Sequence, residues 1–418
     1  MALTLTAEEQ AVADGSDGAA IAMRIVAETG RILGAERLIP IESAHIDGAL
    51  YHGDSGTLFA EKLVDAGARV SVPATLNVGA LDLLGCSRVR LEGEKRAMAR
   101  RMMDAYVALG CQATWTCAPY QGGHRPRLGA QVAWGESNAV AFCNSVLGAR
   151  TNRYGDLIDI ACAIAGRAPD YGLHRTENRR ATLLLDASAL PASFLGSEIA
   201  WPVLGALLGR LAGERVAALS GISTDPGEDA LKAFGAAAAS SGAVGLFHIV
   251  GVTPEAKTLD DALQGEAPDE AIELTPQMVR EAQAALSTVQ GDVGAIDAVA
   301  IGSPHLSEDE FHKLEGLLAG RSTRIPIHAC TGRHVVSALE RDGRRETLER
   351  QGVTIVADTC VVVTPILADR PGGVLMTNSG KFAHYAPGNT GYGVIYGSLS
   401  ECVESAVAGK PVLGGALL

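Results

Sequence analysis

Residues 215–253, RVAALSGISTDPGEDALKAFGAAAASSGAVGLFHIVGVT, decide the fold class. An apolar run at 215–223 is followed by a segment at 229–242 with helical spacing of its apolar residues, and then by a second apolar run at 245–253. Such alternation predicts two parallel strands joined by a helix, because parallel neighbours need a long crossover connection. The stretch therefore indicates an α/β protein.

The same alternation extends in both directions, over residues 181–365. It contains further apolar runs, each next to a segment of helical periodicity, and these are ATLLLDAS (181–188), AIDAVAIGSPH (295–305), RIPIHACTG (324–332) and VTIVADTCVVVTP (353–365). Apolar strands of this kind predict a parallel sheet covered by helices on both faces. The composition changes after Arg180, so we expect an N-terminal α/β lobe at 1–180, a doubly wound lobe at 181–365 and a C-terminal segment at 366–418.

Reactive side chains stand at the ends of three successive predicted strands. They lie in Ser303-Pro304-His305, in Cys330-Thr331-Gly332 and in Asp358-Thr359-Cys360. Ligands of open α/β sheets bind outside the carboxyl ends of the strands, so these groups are expected to form a site, with Cys117 arriving from the first lobe. No glycine-rich dinucleotide fingerprint opens any of the helices, which argues against a nicotinamide cofactor.

Residues 116–156, TCAPYQGGHRPRLGAQVAWGESNAVAFCNSVLGARTNRYGD, combine a thiol with many small and polar groups. Cys117 stands at the end of a strand predicted at 112–117, and its sulfur is expected to point from the strand end into a loop. This position suits a metal thiolate or a reactive thiol better than a packing thiol.

An acidic residue in the same stretch lies among small apolar neighbours. A carboxylate in the environment of Glu136, which Ser137 follows, is expensive unless it is paired or catalytic. Candidate partners are Arg150 and Arg153. An ordinary Arg–Glu pair is the alternative to a catalytic role.

Two loops of the first lobe are candidates for substrate binding. The turn GDSG at 53–56 opens a predicted helix, whose N-terminal N–H groups and dipole favour an anion, although an ordinary cap is the alternative. Asn77 follows a strand predicted at 68–72, and a side chain that only satisfies the backbone of a turn is the alternative to substrate binding. Residues 6–33 predict a helix, because TAEE is a capping-box pattern.

The C-terminal phrase TNSGKFAHYAPG, at residues 377–388, is rich in groups of fixed geometry. Lys381 stands there in a glycine-flanked turn. A solvated lysine is the ordinary interpretation, and an ammonium that meets a carboxylate or a departing hydroxide is the functional one.

Composition excludes several classes of function. The chain has 418 residues, a net charge of −13 and a pI near 5.3, which argue against nucleic acid or an anionic membrane surface as the main partner. No apolar run reaches the ~20 residues of a membrane span, and no secretory signal opens the chain, so we expect a cytoplasmic protein. The eight cysteines are scattered, which fits neither a disulfide scaffold nor a CxxC zinc site.

Several phrases together resemble the large, catalytic subunit of the aconitase X family. They are C-x-P-Y at 117–120, A-W-x-E-S at 133–137, N-S-V-x-G-A-R-T-N-R at 144–153, Y-G-L-H at 171–174 and the phrase at 377–388. The resemblance implies an aconitase-like, multi-lobed α/β core of parallel sheets flanked by helices. Aconitase-like enzymes close their site with a mobile swivel domain that brings a catalytic serine. No stretch of this chain resembles such a β-rich domain, so we expect a separate small subunit to supply it, and the alternative is that the domain was never present or was removed.

The resemblance further implies an iron–sulfur centre. The archaeal branch of the family, which dehydrates mevalonate 5-phosphate, is similar to this chain in two of its three cluster cysteines, which match Cys117 and Cys360. The third matching position is Ser303, and serine is a poor soft ligand. We therefore expect a [2Fe–2S] cluster rather than a full cubane, or a mononuclear iron. Cys330 is either the missing thiolate or a core thiol.

The bacterial branch of the family, which resembles the chain more closely, dehydrates cis-3-hydroxy-L-proline to Δ1-pyrroline-2-carboxylate. The resemblance implies that the small hydroxy acid is bound by Gly53, Asp54, Ser55, Asn77, Arg153 and Ser379, and that Lys381, Glu136 and Ser137 are catalytic. Dehydration of mevalonate 5-phosphate, with its phosphate near Ser55 and Lys381, is the alternative within the family. A metal-free hydratase or isomerase and a non-catalytic scaffold subunit are alternatives from other classes.

Overall fold

The computed structural model describes residues 3–289, 291 and 293–414. It divides after Arg180 into two compact units. The N-terminal unit comprises the residues up to Leu81 and Leu91–Arg180, and the C-terminal unit comprises Asp82–Arg90 and the chain from Ala181 onward. The division into three functional segments, with boundaries at residues 180 and 365, remains a prediction.

The N-terminal unit is built from short strands and mostly longer helices. Its strands are β1 (Leu38–Pro40), β2 (Ala44–Ile46), β3 (Ala74–Leu76), β4 (Ala133–Trp134) and β5 (Arg167–Pro169). Its helices are α1 (Ala7–Ala13), α2 (Gly18–Ile32), α3 (Asp54–Asp65), α4 (Gly93–Ala108), α5 (Ser137–Phe142), which continues as a π-helical turn at Cys143–Leu147, and α6 (Ile158–Ala165).

A parallel three-stranded sheet carries the polar loops of this unit. Its strand order is β3-β2-β4, and every residue of these strands is buried. Strands β1 and β5 form a separate antiparallel pair. Since both faces of the three-stranded sheet are covered, polar side chains can reach a ligand only beyond the strand ends.

The helix predicted over residues 6–33 is divided into α1 and α2. Thr6 and Glu9 form the predicted capping box of α1. The Asp17 side chain accepts the N–H of Ala20 at 2.9 Å and caps α2. A second N-cap within an apolar pattern starts a new helix, and apolar periodicity alone does not reveal it.

Two strands predicted in this unit are wrong. In the segment 68–72, the N–H groups of Val70 and Ser71 bond to carbonyls at the ends of α4 and α6, and the strand begins later, at Ala74. In the segment 112–117, Gln112 makes only an isolated bridge to Thr75. Short apolar runs do not distinguish a strand from a segment that completes the hydrogen bonds of helix ends.

The C-terminal unit alternates strands and helices, as predicted. Its strands are β6 (Leu183–Asp186), β7 (Ala217–Ser220), β8 (Phe247–Ile249), β9 (Glu270–Glu273), β10 (Ala298–Leu306), β11 (Ile327–Thr331), β12 (Val353–Ala357), β13 (Val374–Thr377) and β14 (Gly393–Tyr396). Its helices are α7 (Ala192–Leu195), α8 (Ala200–Ala212), α9 (Glu228–Ser241), α10 (Leu259–Leu263), α11 (Pro276–Ala284), α12 (Glu308–Leu318), α13 (Arg333–Arg341), α14 (Arg344–Arg350), α15 (Gly380–Thr390) and α16 (Leu399–Ala408).

The strands of this unit form two parallel sheets instead of the single sheet predicted for residues 181–365. One has the order β8-β7-β6-β9 and the other the order β12-β11-β10-β13-β14. The alternation of strand and helix predicts parallel pairing but not where a sheet ends. Strand β9, EAIE, was not predicted because it is a polar edge strand with three exposed residues.

The second sheet is completed by the C-terminal segment. Strands β13 and β14 follow residue 365 and extend the sheet beyond β10, which is buried along its whole length. Three successive strands, β10, β11 and β12, therefore end beside one another, as the strand-end prediction requires.

Within the described ranges, no helix is long and apolar enough to cross a membrane.

Candidate active site

The carboxyl edge of the three-stranded sheet in the N-terminal unit carries a row of three polar residues. The register pairs Ile46 with Leu76, and the Asn77 N–H bonds to the Ile46 carbonyl at 2.9 Å, so Asn77 lies beside Asp47. On the other side, the Gly135 N–H bonds to the His45 carbonyl at 3.0 Å, and extending this register places Glu136 beside Asp47. Asn77 and Glu136 were predicted site residues, and Asp47 between them was not.

Asp47 is held in a partly buried and acidic environment. Its carboxyl accepts a hydrogen bond from the Asn77 side-chain amide. Burial, followed by the negative charges of Glu136, Asp156 and Asp159, raises the pKa of Asp47 to about 8. The carboxyl therefore holds a proton at neutral pH, which is a property of catalytic acids.

Asp159 supports this loop from the first turn of α6. Its Oδ2 accepts the N–H of Asp47 at 2.6 Å and that of Gly48 at 3.3 Å, while its Oδ1 accepts the N–H of Ile160 at 2.7 Å. Burial raises the pKa of Asp159 to about 7 against the lowering effect of these hydrogen bonds. The Asp159 carboxylate thus takes the place of water as the hydrogen-bond acceptor for the N–H groups of Asp47 and Gly48, and it fixes the turn that follows β2.

Glu136 is the N-cap of α5 and is 4% exposed. Its carboxylate accepts the N–H of Ala139 at 2.7 Å, the side-chain amide of Asn138, and the hydroxyl of Ser137 at 3.2 Å. A capping role thus accounts for its burial. Arg150, a candidate partner, instead donates to the His174 carbonyl at 3.2 Å and to the Thr176 hydroxyl at 2.8 Å.

Cys117 is buried and lies close to the Glu136 cap. The N–H of Thr116 bonds to the Leu76 carbonyl at 3.1 Å, next to Asn77. The side-chain amide of Asn138, which also donates to Glu136, bonds to the Cys117 carbonyl at 3.2 Å. The N-terminal unit thus brings together Cys117, Asn77 and Glu136, which were predicted to form the site.

The remaining predicted residues of this unit are accessible. Gly53 is the N-cap of α3 with φ 152°, and it supplies no side-chain cap. Asp54 and Ser55 are exposed in the first turn, where the Asp54 carboxylate accepts the hydroxyl of Tyr51 at 2.7 Å. Arg153 is exposed as well. The helix end is therefore accessible to an anion, but Asp54 adds a negative charge to it.

In the C-terminal unit, four predicted residues meet at the carboxyl edge of the five-stranded sheet. Hydrogen bonding from Cys330 lowers the pKa of the Cys360 thiol, and burial opposes this effect. The Val362 N–H, the Ser303 side chain and the Lys381 ammonium lower it further, so that the pKa is about 7. Such an environment favours a thiolate at neutral pH, which is the form that binds metals.

Other cysteines of the chain behave as ordinary core thiols. Burial raises the pKa of Cys111 to about 12 and raises those of Cys143, Cys162 and Cys402. The surroundings of Cys360 are therefore unlike those of these buried cysteines, and the difference arises from hydrogen-bond donors and a nearby cation.

The C-terminal phrase contributes through the start of α15. Ser379 caps this helix by accepting the N–H of Phe382 at 2.9 Å, and its hydroxyl donates to the Ser303 carbonyl. Lys381, in the first turn, acts electrostatically on both Cys360 and His305. The hydrogen bond from Ser379 to Ser303 thereby joins the segment 377–388 to the end of β10.

Two supporting residues of this edge, Asp358 and His305, stand in the strand-end groups that were predicted to form a site, but no role was predicted for either. Asp358, fully buried and with φ 62°, pairs with Arg333, whose Nη2 lies 2.9 Å from its Oδ2. His305, also fully buried, approaches the Thr359 carbonyl with its Nε2 at 3.2 Å. Both contacts join neighbouring strand ends, and no local sequence signal marks such partners.

A cavity of about 790 Å³ opens along the same edge, beyond β10, β13 and β14. Its size lies within the usual range of small-molecule sites, ~300–1,000 Å³. Its lining is acidic, because Glu198, Glu228, Asp229, Asp309 and Glu310 outnumber its one lysine, Lys313, and it does not include the cysteines. A substrate carboxylate is therefore unsuited to this cavity.

The donor set of the C-terminal unit fits part of an iron site. Cys330 and Cys360 supply two thiols and Ser303 one oxygen. Among the residues that the structure describes, no group of three or more His, Cys, Asp or Glu side chains is arranged to hold a metal ion. Two soft donors suit iron–sulfur ligation, and a complete ligand set needs at least one further donor.

Family models and relatives agree with this architecture. The models of the first, second and third domains of aconitase X match residues 2–177, 181–284 and 296–408. The crystal structure of the holo-form of aconitase X from Thermococcus kodakaraensis superposes with a TM-score of 0.85 at 33% identity, covering 97% of this chain and 100% of that one. The predicted α/β fold with parallel sheets flanked by helices is confirmed.

Curated relatives come from two branches. The cis-3-hydroxy-L-proline dehydratase of Pseudomonas aeruginosa is 42% identical over 98% of this chain and 71% of its own length, and that of Hypocrea jecorina is 38% identical over 98% and 69%. The phosphomevalonate dehydratase large subunit of Methanothermobacter thermautotrophicus is 39% identical over 93% of this chain and 95% of its own length. With these relatives and with domain models along most of its length, the chain belongs to the aconitase X family.

Proposed function

We propose that the chain is an iron-dependent hydro-lyase that dehydrates cis-3-hydroxy-L-proline to Δ1-pyrroline-2-carboxylate. The observation that carries the proposal is the meeting of Ser303, Cys330 and Cys360 with Lys381 at one sheet edge. An aconitase-like family suggests an iron-containing cofactor. Two dehydratases of this substrate, 42% and 38% identical to the chain, support the reaction and the substrate.

The iron is proposed to be held by Cys117 and Cys360, with Ser303 or Cys330 as the third protein ligand. This donor set favours a [2Fe–2S] cluster or a single iron over a full cubane. A bound iron centre supplies Lewis acidity toward the substrate hydroxyl. The Cys360 thiol contributes by being poised to ionise, since Cys330, Ser303 and Lys381 stabilise its thiolate.

The chain's own residues are proposed to hold the rest of the substrate. Dehydration removes the proton α to the carboxylate and the β-hydroxyl, so the carboxylate must be anchored and the ammonium neutralised. Arg153, Lys381 or the turn at 53–56 suits the carboxylate, and the buried Glu136 suits the ammonium. The proposed substrate-binding residues are Gly53, Asp54, Ser55, Asn77, Arg153 and Ser379, and the proposed catalytic residues are Lys381, Glu136 and Ser137.

A separate small subunit with a swivel domain is the proposed partner. The chain spans 95% of an archaeal relative whose name calls it a large subunit, but 71% of the Pseudomonas dehydratase. The small subunit is proposed to bring the base that removes the α proton. We place the complex in the cytoplasm, because thiolate ligands and eight cysteines are best kept in a reducing compartment.

The first test measures iron, acid-labile sulfide and the absorption spectrum of the full chain, purified without oxygen and coexpressed with any adjacent small subunit. Cys360→Ala is expected to lower iron content and turnover of cis-3-hydroxy-L-proline together. Cys402→Ala is the matched control, because Cys402 is an equally buried thiol in the core of α16.

The outcomes separate the alternatives. Iron with sulfide supports a cluster dehydratase, and iron without sulfide indicates a mononuclear site. Protein without iron, or a Cys360→Ala variant with unchanged iron and turnover, contradicts the metal site and favours acid–base catalysis by Lys381 and Glu136 or a scaffold role.

Dehydration of mevalonate 5-phosphate is the second candidate. It is favoured by the 39% identity and nearly equal length of the archaeal large subunit. Turnover of the phosphorylated substrate in the same assay, without turnover of cis-3-hydroxy-L-proline, would replace the first proposal by the second.

A further inference from the structure

We infer that Asp47 is a catalytic acid, which donates the proton that converts the departing hydroxyl of the substrate into water. The inference rests on the proposed dehydration and adds to it a residue of the N-terminal unit. Asp47 lies between Asn77 and Glu136 in the row at the ends of β3, β2 and β4. Ligands of parallel sheets bind beyond such strand ends, so the middle position of the row faces them.

Accessibility distinguishes Asp47 from its neighbours in the row. Asn77 and Glu136 are 2% and 4% exposed, whereas Asp47 is only partly buried. The carboxylate of Glu136 is occupied by the cap of α5. Asp47 is therefore the more accessible of the two carboxyl groups in the row.

The hydrogen bonds of Asp47 define where its proton resides. The Asn77 side-chain amide donates to Asp47 Oδ1, which leaves Oδ2 as the oxygen that carries the proton. The charges that act most strongly on Asp47 are all carboxylates, those of Glu136 at the end of β4 and of Asp156 and Asp159 around the start of α6. They disfavour ionisation and keep the group in its acid form.

A second, independent feature indicates that the row binds a ligand. The side-chain oxygen of Asn77 is buried and has no hydrogen-bond partner among the residues that the structure describes. A buried acceptor of this kind is costly unless a ligand supplies a donor, such as the hydroxyl or ammonium of a hydroxy amino acid. It belongs to the amide that contacts Asp47, so the donor it lacks must approach the same place.

The backbone of Asp47 is fixed by contacts that a substrate could not easily displace. Asp159 accepts the N–H groups of both Asp47 and Gly48. Opposite them, a Cβ on Gly135 would stand 2.6 Å from Asp159 Oδ2 and 2.9 Å from Asp47 Cβ. Asp159 and Gly135 are thus positioning residues for Asp47.

The proton-transfer step balances as follows. The base of the small subunit takes the α proton, the electron pair of that C–H bond forms the carbon–carbon double bond, and the C–O bond breaks with its pair going to oxygen. Asp47 transfers its proton to this oxygen, releasing water and leaving Asp47 as a carboxylate. The base then returns its proton to solvent and Asp47 regains one, while the enamine tautomerises to the imine.

The test compares wild type with Asp47→Asn, Asp47→Glu and Asp156→Asn in the full chain, purified as above. Asp47→Asn keeps the size of the side chain but cannot donate an acidic proton, so kcat is expected to fall by about 100-fold or more. Asp47→Glu retains an acid and is expected to recover part of this loss. The dissociation constant of L-proline, an analogue without the leaving group, is measured by calorimetry and is expected to change less than threefold.

The pH profile supplies a readout that a merely structural role would not change. Asp47 must be protonated to act, so wild-type kcat is expected to fall as pH rises through about 8. Asp156 is exposed and acts on Asp47 only through its charge, so Asp156→Asn is expected to leave kcat at pH 6 unchanged and to move this fall to lower pH.

The outcomes are distinct. A large loss of kcat in Asp47→Asn, with iron content and L-proline binding retained, supports the inference. A kcat within fivefold of wild type, or a loss found only in KM and in L-proline binding, overturns it and indicates at most an ammonium site. If the wild type dehydrates neither candidate substrate, the proposed function fails and the inference fails with it.

Discussion

Arg333→Met tests how the C-terminal unit holds its cysteine-bearing strand ends together. Arg333 opens α13 shortly after Cys330, and Asp358 shortly precedes Cys360. The Asp358 side chain is 0% exposed and that of Arg333 is 32% exposed. The N–H of Leu83 also bonds to Asp358 Oδ2, at 3.1 Å. The ion pair thus links the ends of β11 and β12.

The expected cost of Arg333→Met is about 2 kcal/mol in free energy of unfolding. Removing one partner of a buried ion pair generally costs about 3–5 kcal/mol. Two features make the expected cost smaller than this range. Water reaches the Arg333 side chain, which is 32% exposed. Burial also raises the pKa of Asp358, so that its carboxyl group can take up a proton when Arg333 is removed. Protonation becomes harder as pH rises, so the cost should be larger at pH 8 than at pH 5.5.

Urea unfolding at these two pH values is the assay, with Asp358→Asn and the double variant completing a cycle. Asparagine tolerates positive φ and keeps an acceptor for the Leu83 N–H, so Asp358→Asn isolates the charge. A coupling energy of about 1 kcal/mol or more is expected. Arg341→Met is the matched control on the same helix, because Arg341 and Asp342 are exposed and 3.9 Å apart, and it should cost less than about 0.5 kcal/mol.

The ion-pair explanation is refuted if Arg333→Met is as stable as the Arg341→Met control, or if its cost does not depend on pH. Iron retention gives an independent measure. If the pair positions Cys330 and Cys360, Arg333→Met protein purified without oxygen should hold less iron than Arg341→Met protein.

The two remaining predictions concern global stability. Because the pKa values of Asp47 and Asp159 are raised to about 8 and 7, the folded chain binds more protons than the unfolded chain between about pH 4 and 8. Their contribution to stability is therefore greatest at low pH and falls as pH rises through this window, and Asp47→Asn should flatten the dependence of melting temperature on pH; an unaltered slope would contradict these pKa values. Gly302→Ala should destabilise by about 2 kcal/mol or more, since Gly302 has φ 87° and a Cβ would stand 2.2 Å from the Cys330 carbonyl oxygen. Gly316→Ala, on exposed helix α12 with no atom within 4 Å, should instead stabilise by about 0.5–1 kcal/mol. Equal melting temperatures for the two glycine variants would contradict both expectations.

The class of fold could be predicted because each buried strand of the C-terminal unit is an apolar run. Strands β10 and β11 were predicted to within three residues at each end, since a doubly covered strand needs apolar side chains on both faces. Strand β12 begins at Val353 as predicted, but it ends at Ala357 and not at residue 365. The division into two sheets could not be predicted, because apolar runs do not specify their neighbours. Strand β9 was missed for the opposite reason: its pairing uses backbone groups while its side chains remain exposed.

The candidate site was predicted where a residue is chemically unusual for its surroundings or belongs to a shared phrase. Cys360 was selected because it follows a predicted strand, Glu136 because it is a carboxylate among small apolar residues, and Lys381 because it belongs to a phrase that resembles the aconitase X family, and their roles remain predictions. Asp47 was not selected, because it is a single acid in a loop with no local signal, and Asp358 was named only as part of the strand-end group that contains Cys360. What makes Asp47 unusual is its alignment with Asn77 and Glu136, which belong to different strands.

Strand register also explains why the two sheet edges hold opposite protonation states. In the N-terminal unit the register places carboxyl groups beside one another, so the pKa of Asp47 is raised to about 8 and this residue retains a proton at neutral pH. In the C-terminal unit the strand register places hydrogen-bond donors around the Cys360 thiol, and these donors lower its pKa to about 7, which favours the thiolate. An elimination that uses a metal needs both properties, a proton for the leaving oxygen and an anionic ligand for the metal. Each property depends on neighbouring strands, so a variant that shifts either register should lose the chemistry even if every candidate side chain is retained.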